Sequence, residues 1–122
     1  MKMTLTETNA NISKKEIIIL SQAETIKLDD LVTPEKPLLI SPVEYYVFNM
    51  VGDDGDEYVR YIVRDADGKL YSTAGKAFGE RLIDCFAMLT ENGVTEPFTM
   101  EVAKVPSKNF KGKFYIRGRL VG

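Results

Sequence analysis

The chain is predicted to be all-β with one helix: five strands and a helix in the order β-β-β-α-β-β, curled into a small barrel behind an N-terminal extension. Three observations predict this. Between Leu38 and Val121, segments rich in β-branched and aromatic residues alternate with turns built on Gly and Asp. Only one segment, Gly75 to Glu91, repeats its apolar residues at helical spacing. The strands are also too few for a sandwich of about seven, and they lack the repeated helices that a parallel sheet requires.

Residues 1–15 are polar and rich in Thr, Asn and Lys, and read as a mobile arm. The apolar run Ile17 to Leu20 follows, and residues 21–37 have room for a short strand and a helical turn near Leu28–Val32 before Pro34 and Pro37 stop it. Residues 1–37 are therefore taken as an arm and extension, partly mobile, and residues 38–122 as the folded domain. Leu38 to Met50 reads as a long first strand in which Pro42 marks an edge or a bulge. Gly52 to Glu57 is a turn, Tyr58 to Arg64 the second strand, and Asp65 to Gly68 a hairpin with Gly68 suited to positive φ. Lys69 to Ala74 is the third strand. In the helix, Phe78, Leu82, Cys85, Phe86 and Leu89 form one apolar stripe; Thr73 is the expected cap and Asn92-Gly93 the end. Pro97 to Val105 and Lys113 to Val121 are the fourth and fifth strands, joined by a basic loop. This order is that of the five-stranded OB-fold barrel.

Composition excludes several classes of chemistry. The chain has 122 residues, 44% hydrophobic, one Cys and no His. Without His, and with Cys85 unaccompanied in an apolar helical context, neither a zinc site nor a Ser-His type triad is available, and Cys85 reads as a buried structural thiol. No apolar run is long enough to span a membrane as a helix, and the N-terminus lacks the apolar core of a signal peptide, so a cytoplasmic location is expected. Glycines are not spaced for a phosphate loop before Lys76, since that motif requires Gly where Leu70 stands. The turn from Gly52 to Glu57 lacks the ligand spacing of an EF-hand. Asp65 and Asp67 read as turn formers rather than paired catalytic carboxylates. No catalytic residue, metal ligand or cofactor is assigned, and the chain is read as a non-enzyme.

Charge carries the positive signal. The formal net charge is −2, yet Lys104 to Gly122 holds six cations and no acid. In the fifth strand Lys113, Tyr115, Arg117 and Arg119 share one parity, while Phe114, Ile116 and Leu120 share the other. Such a strand buries one face and presents cations with an aromatic ring on the other. In the second strand Tyr58, Arg60, Ile62 and Arg64 are assigned outward, and in the third Lys69, Tyr71 and Thr73. Taken singly, Tyr45, Tyr46, Tyr58 and Tyr61 each read as core or rim packing, and alternating cations as edge protection. The loop from Pro106 to Gly112 tips the balance, because Phe110 stands between Lys108 and Lys111 with no core to fill. Lys76, at the helix start, is placed to meet a phosphate. The predicted nucleic-acid surface is thus Tyr58, Arg60, Arg64, Tyr71, Lys76, Lys108, Phe110, Lys111, Lys113, Tyr115, Arg117 and Arg119. Rings stack on bases and cations neutralise phosphates.

Through YIVRDADGKLYSTAGKAF and FTMEVAKVPSKNFKGKFYIRGRLV, the chain resembles the small OB-fold single-stranded-DNA-binding proteins of phages and plasmids of Gram-positive bacteria, over roughly residues 38–121. The resemblance implies sequence-tolerant protection of single strands during replication, recombination or transfer. It departs from the bacterial housekeeping members, which end in an acidic recruiting tail where this sequence reads RGRLVG. The expected function is therefore non-enzymatic, largely sequence-independent binding of single-stranded DNA, with RNA the secondary ligand and homo-oligomerisation through the N-terminal extension a further expectation. The alternative is a protein-interaction module on the same barrel, a mobile-element accessory or inhibitor, using the acidic first half or Ile17–Leu20 to pair with a partner strand.

Overall fold

Residues 2–122 are described by a computed structural model, in which the chain is mostly β with few helices. The elements run β1 (Lys2–Thr8), α1 (Lys14–Gln22), β2 (Ile26–Lys27), α2 (Leu28–Leu31), β3 (Leu38–Ile40), β4 (Pro42–Val51), β5 (Glu57–Asp65), β6 (Leu70–Thr73), α3 (Lys76–Glu91), β7 (Thr99–Pro106) and β8 (Phe114–Val121). One sheet has the order β1-β4-β5-β6-β2 and the other β3-β7-β8. Among the described residues no helix is long and apolar enough to cross a membrane.

The long first strand divides at Ser41-Pro42. Leu38–Ile40 pairs with β7 in the smaller sheet, and Pro42 onward pairs with β5 in the larger one. Pro42 lacks the N–H that a continuous ladder requires, and the register shifts between Pro42 and Glu44. Asp65 clips the bend from outside: its carboxylate accepts from the Ser41 N–H, and the Ala66 N–H donates to the Ser41 carbonyl at 2.9 Å. The two hairpin turns form as read, with Gly55 at φ 85° and Gly68 at φ 90°.

The sheets do not close into a barrel, contrary to the sequence expectation. Closure would require β6 to pair with β8. Instead the edge of β6 is taken by β2, which runs parallel to it with Ile26 opposite Tyr71 and Lys27 opposite Ser72. The chain then turns through α2 into the gap between the sheets, where Leu28 and Val32 are fully buried in the main core. Burying such side chains stabilises the fold by roughly 2 kcal/mol each. Polar contacts fix the insertion. Thr73 Oγ1 donates to Asp29 Oδ1 at 2.9 Å, and Lys104 Nζ donates to the Asp29 carbonyl at 2.8 Å.

Within residues 2–37, taken as an arm and extension, two strands complete the larger sheet at both edges, β1 by pairing with β4 and β2 with β6. The apolar run Ile17–Leu20 is helical. Ser13 caps α1 by accepting from the Glu16 N–H at 3.2 Å, and Glu16 reaches back to the Ser13 hydroxyl. Leu20 and Ile17 pack on Tyr46, Phe48, Met50 and Ile62, making a second core on the other face of the larger sheet. Both faces of β4 and β5 are therefore partly covered.

On the first face, α3 lays Phe78, Leu82 and Cys85 against Tyr45, Val47, Tyr61, Val63 and the inward residues of the smaller sheet, Met100, Val102 and Ile116. The helix comes closest at Gly79, where a Cβ would lie 2.4 Å from the Tyr61 ring. Its N-cap is Gly75 rather than Thr73, whose hydroxyl instead accepts from the Gly75 N–H at 2.9 Å. Burial pushes the Cys85 thiol pKa up, which keeps it an unreactive core group.

Candidate functional site

Two depressions adjoin at the seam between the sheets. The first, of about 250 Å³, is lined by Lys27, Asp29, Tyr58, Arg60, Ser72, Thr73 and Ala74. The second, of about 370 Å³, is lined by Asp29, Ala74, Gly75, Lys104, Phe114, Tyr115 and Ile116. Asp29 and Ala74 belong to both, so the two form one concave track that crosses the gap left by the missing β6–β8 pairing. The sequence folds this way because α2, not a strand, fills the gap. This four-residue helix buries Leu28 in the main core and leaves Asp29 exposed beside both depressions.

Each wall has its own construction. Tyr58 and Arg60 share one face of β5 and extend past the end of α1's cover, while Ile62 on the same face is sealed beneath it. Tyr58 is 44% exposed. Arg60 is half-buried and its Nη2 donates to Thr25 Oγ1 at 2.8 Å; Thr25 in turn meets the Ser72 hydroxyl at 2.6 Å. This chain of contacts holds the guanidinium against β6 and limits the rotamer freedom it has to lose on meeting an anion. Across the gap, Phe114 and Tyr115 begin β8, where Phe114 opposes Pro106 as the last pair before the hairpin loop. The loop therefore rises from the same strand ends that line the second depression. Ser107 N–H donates to the Lys113 carbonyl and Lys113 N–H to the Phe110 carbonyl, and Gly112 supplies φ 80°. Phe110 at the tip is 66% exposed, flanked by exposed Lys108, Lys111 and Lys113.

The structure therefore brings Tyr58, Arg60, Tyr115 and the loop residues Lys108, Phe110, Lys111 and Lys113 to one end of the molecule. Lys108, Lys111, Lys113 and Arg117 have no carboxylate partner among the described residues. Other predicted residues lie elsewhere. Tyr71 is not outward: it is 4% exposed in the main core, where burial raises its pKa. Its strand is covered on the face expected to be wet. Arg64 is at the far end of β5 from Tyr58, roughly 20 Å along the strand, and lies beside Glu44 at 4.0 Å. Lys76 is exposed beside Glu80 at 3.8 Å. Arg117 and Arg119 continue the exposed face of β8 that Tyr115 begins, Arg117 next to Tyr115 and Arg119 farther along with its Nε held by Glu101 at 3.0 Å. Two residues assigned to the buried face of β8 are exposed: Phe114, which lies beyond the core at the hairpin base, and Leu120, which overhangs the end of α3 beside Met88.

Sequence reasoning missed Lys27, Asp29, Lys104 and Phe114. The first two lie in the segment read as an extension, and only its burial signal, Leu28 and Val32 spaced one helical turn apart, pointed to a packed position. No protein-family model matches the chain, and no curated protein and no solved structure matches it.

Proposed function

We propose that the chain is a non-enzymatic, largely sequence-tolerant binder of single-stranded nucleic acid, DNA before RNA. The observation that carries this reading is the concave seam itself: rings at Tyr58, Phe114 and Tyr115, cations at Lys27 and Arg60, and a cationic hairpin with an exposed Phe110 rising from the same end. Successive bases have a π-face to place on such rings, and the sugar-phosphate backbone follows the cations. A duplex hides its base faces, so it gains only the electrostatic part.

The strand path supports the finer reading. The succession β3/β4, β5, β6, α3, β7, β8 is compatible with an opened OB path in which one bent strand would serve both sheets. In that fold the second and third strands and the fourth-to-fifth-strand loop carry the ligand, and on this reading they would correspond to β5, β6 and the loop from Ser107 to Lys113. The resemblance to phage and plasmid single-strand binders rests on the same elements. In the alternative reading Ile17–Leu20 would pair with a partner strand; this segment is the helix α1, which offers no strand edge.

Fluorescence anisotropy of labelled oligo-dT, the matching RNA and a duplex tests the proposal. Tighter binding of the single strands than of the duplex is expected, and equal binding of all three would leave only a charged patch.

A further inference from the structure

The first depression contains a carboxylate where a phosphate-binding groove has no use for one. Asp29 lies between Arg60 and Lys27 on one side and Lys104 on the other, in the floor of an otherwise cationic track. It is held at two points. Its Oδ1 accepts from the Thr73 hydroxyl at 2.9 Å, and its own carbonyl accepts from Lys104 Nζ at 2.8 Å. Neither contact is an ion pair with the carboxylate, so its negative charge is left to the solvent-facing track. A carboxylate carries four lone-pair sites, and Thr73 uses one. It repels phosphate but accepts strongly from paired N–H donors.

We propose, building on the single-strand reading above, that this depression is a guanine-selective subsite in which Asp29 accepts from the N1–H and N2–H of one unstacked base while that base lies against Tyr58. Guanine is the DNA base whose Watson–Crick edge carries two adjacent donors, which match the two carboxylate oxygens. Adenine and cytosine each set one amine beside a ring acceptor, and thymine flanks one N–H with two carbonyls, so each would turn at least one acceptor toward Asp29. The volume of about 250 Å³ admits a purine but not a base pair. Ser72 and Arg60, tied together through Thr25, leave the guanidinium beside the base for the adjoining phosphate. One position of base selectivity is thereby set into a sequence-tolerant track, which gives a bound strand a preferred register. Recognition of splayed single-stranded bases on their Watson–Crick edges is a general mode.

The test compares oligo-dT with the same strand carrying one central dG, dI, dA or dC, by anisotropy at one salt concentration. The dG strand is expected to bind about tenfold tighter than oligo-dT, in line with one bidentate contact. The dI strand, which lacks only the N2 amine, is expected to lose most of that gain, and dA and dC to show none. Asp29→Asn, which replaces one acceptor oxygen by a donor amide, is expected to abolish the dG preference, with thermal melting confirming that the variant folds. Equal binding of oligo-dT and the dG strand by the unmodified protein overturns the subsite and leaves the single-strand reading standing. Failure to bind any of the strands overturns both.

Discussion

Leu28→Ala tests whether the N-terminal segment is the structural plug that keeps the two sheets apart. Leu28 has no exposed surface and sits in the main core with Val32, Tyr71, Phe78 and Ile116. The substitution removes three carbon atoms, roughly 2.4 kcal/mol of transfer free energy at ~0.8 kcal/mol per methylene. The cavity left behind adds to this, because the rigid strands on either side relax only partly, and the total falls at about 3–4 kcal/mol. For a chain of this size that lowers the melting temperature by on the order of 10 °C or more. Leu31, in the same short helix but exposed, provides the control: Leu31→Ala is expected to cost less than about 0.5 kcal/mol. Urea unfolding of the two variants, with unchanged slope and a shifted midpoint for Leu28→Ala alone, is the readout. Unfolding free energies of the two variants that agree within about 0.5 kcal/mol would show that residues 26–32 are not seated between the sheets, and the open seam would fail with them.

Three further outcomes follow from the same structure. Phe110→Ala is expected to weaken single-strand binding by about 1–3 kcal/mol while leaving the melting temperature in place, as judged by anisotropy and thermal denaturation together; a large loss of stability would show a packed ring. Tyr58→Ala and Tyr71→Ala are expected to separate, the first lowering affinity with little change in stability, the second costing roughly 3–5 kcal/mol of stability because its ring is in the core. Above pH 10 the fold is expected to lose stability. Burial, with a hydrogen bond to Glu7, pushes the Tyr45 pKa up to about 12, and burial also raises those of Tyr46, Tyr61 and Tyr71. The unfolded state then releases protons that the folded state retains, so stability is full below the unfolded pKa near 10 and falls as pH rises toward 12. Melting temperatures flat from pH 9 to 12 would contradict this.

The elements that could be read from sequence are those whose signals are local. Gly55 and Gly68 announce their turns because positive φ is costly for other residues, and the stripe Phe78, Leu82, Cys85 announces α3 because its spacing matches the helical period. The basic hairpin was likewise legible, since a Phe between lysines beside a Gly has a local cause. What was not legible depends on distant partners. Two residues, Ile26 and Lys27, have no periodicity to betray a parallel pairing with β6, yet that pairing decides whether the barrel closes. Parity assigned Tyr71 and Ile62 outward on the assumption that each strand has one wet face, and both are buried. β4 and β5 instead carry a core on each side, so alternation there separates one core from the other rather than core from water. Asp29 was invisible as a site residue for the same reason: its position comes from Thr73 and Lys104, 44 and 75 residues away.

The central claim is that rings and cations at the seam act together on a single strand, and salt dependence measured against strandedness tests it most directly. With Lys27, Arg60, Lys108, Lys111 and Lys113 on phosphates, the logarithm of the binding constant for oligo-dT is expected to fall with the logarithm of salt at a slope of roughly −3.5, about −0.7 for each of about five contacts. A stacking contribution would keep single-strand affinity above that for duplex at every salt concentration. A salt-insensitive constant, or a duplex bound as tightly as the single strand throughout, would contradict the account.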